Sequence, residues 1–402
     1  MNSDIRSQFP LLSEKVHDKQ VVFLDNASTT PKPQSVIDAV NDYYTHYCSN
    51  IHRSVYSFGE KASKAYEDSR EVARSFFSAP DDMTVLFTAG ATDGLNFVAR
   101  GLIPSLSEGD TILLSPIDHH ANLVPWQIAA EKSGANIKYI PITEDSTFDM
   151  AALDDSFFEG VKVCAITGMS NVTGYLPPLE KISALCRKNN IIFVIDAAQL
   201  ASHAPVDLGN LSCDFFATSV HKMYGPTGVG ILLAKTSLLE DMPPRLYGGG
   251  MIDHVGYERS TWATIPERFE GGTPNIAGVI GTKYALEFLM SINRESAKKH
   301  EVDILSCLRS ALANIDGIRL IGPDQDTCSV CSFLVESVHA HDLGTLVDHS
   351  GVAMRTGHHC AQLLMRHFNA HSTSRLSFGV YNTFEEVDIA VKAIRDSLEF
   401  LR

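Results

Sequence analysis

At 402 residues the chain is too long for one hydrophobic core, and at roughly 150 residues per domain it is expected to fold as two or three. Its 44% apolar and 20% charged residues are ordinary for a globular protein, and a net charge of −15, from 33 basic and 48 acidic residues, argues against a dedicated nucleic-acid binder. The opening MNSDIRSQFPLL lacks a secretory leader, no apolar run approaches the roughly 18 residues of a membrane span, and eight cysteines are too sparse for a disulfide framework, so a cytoplasmic protein without membrane contact is expected.

Short apolar and β-branched runs recur in chain order: VVFLD (21–25), TVLFT (84–88), TILLS (111–115), IKYIP (137–141), VKVCAIT (161–167), IIFVID (191–196), DFFAT (214–218) and VGILLA (229–234). Several predict strands buried on both faces, as in a parallel sheet. Helical patterns lie between them. In 62–77, Ala62, Ala65, Tyr66, Val72, Ala73, Phe76 and Phe77 share one face of period 3.6. Such alternation predicts an α/β sheet with right-handed crossovers.

The Gly- and Pro-rich segment 240–275 is too long for an ordinary connection and is expected to be functional or an interface. A helix-rich stretch, 276–315, leads into a smaller α+β domain with a strand in CSVCSFLV (328–335). A terminal helix follows, opened by the capping box Thr383-x-x-Glu386, with Val387, Ala390, Val391, Ile394, Leu398 and Leu401 inward. The expected divisions are an N-terminal arm (1–25) packed on the small domain, a large domain (26–275) and the small domain (276–402).

Chemistry gathers where strands end. FATSVHKMYGPTGVGIL (216–232) sets Lys222 directly after a strand and beside His221. Ligands bind at strand ends in α/β sheets, and a lysine there suits a Schiff base with a carbonyl or with pyridoxal phosphate (PLP); alone, it reads equally as a solvated turn residue. Asp196 closes the apolar IIFVID, where a buried carboxylate needs a partner: a pyridinium nitrogen, or a helix N-terminus. TAGATDGLNFVARGL (88–102) reads as a strand, a small-residue turn and a helix start, which makes an anion cup with the Thr92 hydroxyl. SPIDHHANLVPWQ (115–127) places His119 and His120 after another strand, as a ring to stack on a cofactor or as loop caps. Four such elements along one sheet edge point jointly to a PLP site. Finally, VAMRTGHHCAQL (352–363) surrounds Cys360 with Arg355, His358 and His359, and cationic neighbours favour the reactive thiolate.

With FLDNASTTPKP, IHRSVY, HHANLVPWQ, SNVTGY, IDAAQ, SVHKMYGPTGVGIL, RFEGGTPN, RTGHHCA and RLSFGVYNT in order, essentially the whole chain resembles the PLP enzymes of fold type I in the class V aminotransferase group. Within that group it resembles the cysteine desulfurases and selenocysteine lyases, above all the Suf-type desulfurases. The resemblance implies a large PLP-binding domain with a mostly parallel seven-stranded sheet flanked by helices, and a smaller C-terminal α+β domain carrying the cysteine loop.

It also implies roles. Lys222 would hold PLP and later move the α-proton, Asp196 would pair with the pyridine nitrogen, Gln199 with the ring oxygen, and His119 would stack on the ring. Thr92, Ser219 and His221 would bind the phosphate, and Thr273 would reach the phosphate of the neighbouring subunit of a homodimer with shared active sites. Asn171 and Arg375 would take the α-carboxylate of L-cysteine, with Arg355 and His52 in the same pocket. Cys360 would accept the sulfur as a persulfide, releasing L-alanine and passing the sulfur to an acceptor protein of an iron–sulfur assembly system.

Alternatives stay open at this level. Selenocysteine lyase and cysteine sulfinate desulfinase chemistry would use the same groups. Aminotransferases, epimerases and kynureninase-like hydrolases share the scaffold without needing a loop cysteine. A PLP-binding regulator or an inactive sulfur carrier would not need the intact Lys222, Asp196, Cys360 and Arg375 set. A zinc site would draw on CSVC at 328–331 with His349, His358, His359 and Cys360, but strand positions three apart face opposite ways. No metal is expected. Three departures from the family pattern stand out: Val220 where glycine is usual, Leu363 where proline is common, and Gly272, after Gly271, where alanine is usual.

Overall fold

A computed structural model of the chain describes residues 2–52 and 54–402; Met1 and Arg53, the latter within IHRSVY, lie outside them. The apolar runs become β1 (Met83–Thr88), β2 (Thr111–Leu114), β3 (Asn136–Tyr139), β4 (Val161–Thr167), β5 (Ile192–Asp196), β6 (Phe215–Ser219) and β7 (Gly230–Lys235). These form one seven-stranded sheet among the described residues, in the order β1-β7-β6-β5-β4-β2-β3. All neighbours are parallel except β7, which is antiparallel to β1 and β6. The reversal follows from the connection: residues 220–229, a single 3-10 turn and a loop, lead from β6 into β7 and are too few for a crossover helix.

VVFLD does not join this sheet. Only Val22–Phe23 is a strand, and it pairs in parallel with Val352–Ala353 while Asp25 bridges to Ser377. The N-terminal arm thereby runs along the C-terminal layer.

Both faces of the large sheet are covered. Alternate residues of β7 feed two cores: Ile231 and Leu233 pack with Tyr66, Phe77 and Phe216, whereas Leu232 and Ala234 pack with Val98, Trp126 and Val194. Burying each large side chain stabilises the fold by about 1.5–3 kcal/mol. Helix α1 (Ser57–Phe76) covers the first face with Ala62, Tyr66 and Ala73, as its periodicity predicts. Helices α2 (Ala91–Leu102) and α3 (Val124–Ser133) cover the second.

The 240–275 segment holds a hairpin, Ile252–Val255 with Ser260–Trp262, and exposes Leu246, Tyr247, Val255 and Tyr257. Helices α4 (Ile276–Ser291) and α5 (Arg294–Ala313) then lead to an antiparallel sheet of β8 (Ile318–Ile321), β9 (Val330–Val335), β10 (Arg355–Gly357) and β11 (Thr373–Ser377), ordered β8-β9-β11-β10. Helix α6 (Gln362–His367) follows Cys360, and α7 (Phe384–Leu401) closes the chain. Both halves of the expected capping box are formed: Thr383 Oγ1 accepts the Glu386 N–H, and Glu386 Oε2 accepts the Thr383 N–H.

Cys328 and Cys331 enter different apolar cores; only Cys331 lies on β9, and Cys328 precedes it across Ser329, whose backbone is left-handed with φ of 60°. Among the described residues, no group of three His, Cys, Asp or Glu side chains is placed to hold a metal ion, and no helix is long and apolar enough to cross a membrane.

Candidate active site

Eleven of the thirteen expected site residues line one cavity of about 330 Å³: Thr92, His119, Asn171, Asp196, Gln199, Ser219, His221, Lys222, Arg355, Cys360 and Arg375. It opens at the C-terminal ends of β4, β5 and β6, where the strand direction aims successive loops at one point. His52 and Thr273 lie elsewhere. They line a second cavity of about 450 Å³ in which Asn50 Nδ2 donates to Thr273 Oγ1 at 3.4 Å, so within one chain His52 does not share the pocket of Arg355.

One end of the main cavity is an anion cup. Helix α2 begins at Ala91, and its first turn presents the N–H groups that a helix leaves free. Ser219 Oγ accepts the Ala91 N–H at 2.8 Å, which places the Ser219 and Thr92 hydroxyls at the rim. Gly230 makes this approach possible, since a Cβ there would sit 2.5 Å from the Gly90 carbonyl carbon. The acidic group of that turn, Asp93, is neutralised by Arg245. His221 is held neutral: burial, then Lys222 and Lys32, lower its pKa to about 4.

The middle of the cavity holds the groups suited to a heteroaromatic ring. Asp196 is buried at the end of β5 with the Ala198 N–H on its Oδ1 at 3.0 Å, and burial raises its pKa above the usual carboxylate range. Enclosure lowers the Lys222 pKa to about 8, because desolvation outweighs the pull of Asp196. The shift raises the share of the neutral amine, which is the nucleophilic form. His119 Nδ1 accepts the Ala121 N–H at 3.0 Å, and burial together with Lys222, His120 and Arg375 brings its pKa to about 3. It is therefore a neutral imidazole with its proton on Nε2. Gln199 Nε2 donates to the Ala27 carbonyl at 2.7 Å and keeps a second hydrogen, whereas its buried Oε1 has no partner among the described residues.

The far end binds carboxylate by charge. Arg355 and Arg375 are direct cross-strand partners on β10 and β11. Like charges so placed repel. Asp25 resolves the conflict by accepting from both: Arg375 Nη2 at 3.1 Å and Arg355 Nε at 3.0 Å. Arg375 also donates from Nη2 to Ser28 Oγ at 2.9 Å and from Nη1 to the Asn171 carbonyl at 2.9 Å, leaving its buried Nε unpaired among the described residues. Asn171 has a second task, since its Nδ2 donates to the His359 carbonyl at 2.7 Å.

Cys360 is exposed at the cavity mouth. It and His359 adopt left-handed backbone, with φ of 55° and 51°. For residues with side chains this conformation costs of order 1–3 kcal/mol each, so surrounding bonds must hold it. The expectation of a cationic His358–His359 pair fails for His359: burial, then Arg375, lowers its pKa to about 2, and Nε2 bonds Thr373 Oγ1 at 2.9 Å. His358 Nδ1 accepts the Cys360 N–H at 3.0 Å, as only an unprotonated nitrogen can. The bulk of Val220 is taken up by Gly225, where a Cβ would come within 2.3 Å of it, and Leu363 packs within α6 against the second core.

Comparison with known proteins agrees with this geometry. Residues 22–389 match Aminotransferase class-V. The chain belongs to the class-V aminotransferase family. It is 40% identical to a probable cysteine desulfurase of Halalkalibacterium halodurans, over 99% of this chain and 98% of the relative, and 41% identical to one of Vibrio cholerae over the same shares. In structure it superposes on the cysteine desulfurase CsdA from Escherichia coli with a TM-score of 0.92 at 36% identity, covering 100% of this chain and 99% of that one. The apo cysteine desulfurase of Thermococcus onnurineus gives 0.94 at 31% identity, with the same coverage. The seven-stranded, mostly parallel sheet flanked by helices is that of PLP fold type I.

The sequence reading missed three residues that shape this class-V site. Asp25 ends an apolar run as Asp196 does, and the same reasoning applied to VVFLD would have singled it out. Asp118 is fully buried one position before His119, and its carboxylate accepts the Ser115 and Thr167 N–H groups, locking the β2 loop to the end of β4. Ser28 touches Arg375 only because the arm crosses the sheet, and no local pattern marks it.

Proposed function

We propose that this protein is a PLP-dependent cysteine desulfurase that moves the sulfur of L-cysteine onto Cys360 and releases L-alanine. The observation that carries the reading is the convergence of Lys222, Asp196, Arg375 and Cys360 on one cavity. The residues fit the cofactor: a buried carboxylate with no cation bonded to it among the described residues, a lysine amine, a neutral imidazole and an anion cup on a helix start. Thr92, Ser219 and His221 would hold its phosphate, Asp196 its ring nitrogen, Gln199 its ring oxygen and Lys222 its aldehyde. When bound, PLP supplies an electron sink for the substrate's α-carbon.

The chain's own groups do the rest. Arg375 meets the substrate carboxylate with its charge and its unpaired Nε–H, assisted by Asn171 and Arg355. The Lys222 amine, whose lowered pKa of about 8 gives it more of the unprotonated form than a solvated lysine, accepts the α-proton and returns a proton to the product. His119 covers the ring as a neutral imidazole and holds its Nε2 proton towards the cavity. The Cys360 thiolate attacks the substrate's γ-sulfur: an S–S bond forms, the carbon–sulfur bond breaks with its electron pair left on the substrate carbon, and that carbon takes a proton to give alanine. The resulting persulfide stands at the mouth of the cavity, where an acceptor protein of iron–sulfur assembly can reach it.

The site is read as shared across a homodimer in the cytoplasm. His52 and Thr273 lie in a separate cavity, and the 240–275 segment exposes Leu246, Tyr247, Val255 and Tyr257, which suits a surface that packs on a second copy. Visible absorbance of the purified protein, with alanine and sulfide measured after addition of L-cysteine and reductant, tests the proposal. A yellow protein forming both products supports it. A yellow protein that leaves L-cysteine unchanged overturns it.

A further inference from the structure

We propose that His120 is a positioning residue for Cys360, holding the cysteine loop in register with the β2 loop that carries His119. The inference rests on Cys360 being the sulfur acceptor. Within the chain His120 lies outside the cavity that holds the reacting groups and lines an adjoining one. Yet it grips the loop twice. Its backbone N–H donates to the Cys360 carbonyl at 2.7 Å, and its imidazole Nε2 accepts the Gln362 N–H at 3.1 Å. These two bonds bracket Cys360 on its C-terminal side.

On the other side the same ring faces His358, with centroids 5.7 Å apart and planes at 36°. His358 in turn accepts the Cys360 N–H. Every peptide group flanking the cysteine sulfur is therefore held by His120, by His358, which the His120 ring faces, or by Asn171 through the His359 carbonyl.

The need for such a grip is physical. Two consecutive residues with side chains, His359 and Cys360, stand in left-handed backbone, a conformation they leave unless bonds on both sides oppose it. Cys360 is exposed, so burial does little to orient it. The attacking sulfur has to meet the substrate within a near-attack geometry, where a shift of about 1 Å costs of order a hundredfold in rate. An imidazole suits the task because its ring plane meets His358 while its edge nitrogen accepts an N–H. The charge state agrees with the geometry: burial, then His358, keeps the His120 pKa below its usual value, so Nε2 is free to accept.

The test uses the PLP-loaded enzyme and three variants. His120→Phe keeps an aromatic face against His358 and removes the acceptor. His120→Gln restores an acceptor oxygen. Gln362→Pro deletes the donated N–H from the other side, at the first position of α6, where proline is tolerated. Two quantities are read: deuterium uptake by the peptide covering 356–364, and the single-turnover rate of sulfur transfer at saturating L-cysteine.

His120→Phe and Gln362→Pro are each expected to speed uptake and slow transfer about tenfold, with the cysteine concentration for half-maximal rate unchanged. His120→Gln is expected to stay near the parent, and the two defective changes combined should be no worse than either alone. Uptake and transfer within twofold of the parent in both His120→Phe and Gln362→Pro would overturn the proposal, as would His120→Gln as impaired as His120→Phe. Should His120→Phe fail to fold, Gln362→Pro decides alone. Cys360→Ala separates the two readings: normal turnover there removes Cys360 as acceptor, and the uptake measurement still decides whether His120 holds the loop.

Discussion

Replacing Asp25 removes the counter-ion that lets two arginines share one end of the cavity. In Asp25→Asn the side chain keeps its shape, but its amide has one acceptor oxygen. If that oxygen stays with Arg375, the NH₂ group faces Arg355, donor against donor. The cross-strand arginine pair is then unopposed. At an effective dielectric of about 20, two unit charges at a cross-strand spacing of about 5 Å repel by roughly 3 kcal/mol, part of which solvent screens because Arg355 is half exposed. Arg375 then loses the orientation that presents its free Nε edge.

A charge-assisted bond to a substrate carboxylate is worth about 1.5–3 kcal/mol, which corresponds to about 10–100-fold in KM. Steady-state kinetics with L-cysteine at low and high salt is the assay. The expected result is a KM raised by about that factor, partly restored at high salt, with kcat much less affected because the reacting groups are untouched. Asp25→Ala should do the same more severely. A KM within twofold of the parent for both variants would refute the reasoning from the Asp25 triad.

Gly230→Ala forces a Cβ to within 2.5 Å of the Gly90 carbonyl carbon, so titration with PLP should show affinity lowered about tenfold or more through the anion cup, whereas Gly248→Ala, where a Cβ would meet nothing within 4 Å, should not. Lys222→Ala should abolish alanine formation while far-ultraviolet circular dichroism stays that of the parent. Acid should destabilise the fold through buried neutral histidines. His359 titrates near 2 folded and about 6.5 unfolded, so the unfolded chain binds more protons between those values. That contribution is complete above pH 6.5 and is lost as pH falls, by up to about 1.4 kcal/mol per unit. His119 and His221 add to it in the same direction, less strongly because they are less enclosed. Urea titrations across this range should show His359→Gln losing less stability per pH unit than the parent.

Sequence legibility divided along physical lines. Strands buried on both faces announce themselves as apolar runs, and β1 to β7 were visible to within a residue or two. The antiparallel sense of β7 was not, because an apolar run carries no direction; only the shortness of its turn does. The reactive groups Lys222, Asp196 and His119 were legible because each follows a strand end, where topology places ligands.

Their electrostatics were not legible. His359 looked like a cation beside Cys360 because adjacency in sequence says nothing about burial against Arg375. Nor could spacing show that Asp25 lies between Arg355 and Arg375, roughly 330 and 350 positions away, since that contact exists only once the arm crosses to the second sheet. His52 was grouped with the pocket of Arg355 by resemblance, and a single chain sets it apart, beside the Thr273 that was expected to serve a neighbouring subunit.

The central claim, that sulfur passes to Cys360, is tested most directly by peptide mass after one turnover. The enzyme is mixed with one equivalent of L-cysteine, quenched without reductant and digested. The expected result is one added sulfur on the peptide containing Cys360, in equal amount to the alanine released, and neither product from Cys360→Ser. Sulfur found instead on exposed Cys48, or alanine formed at the parent rate by Cys360→Ser, would contradict it.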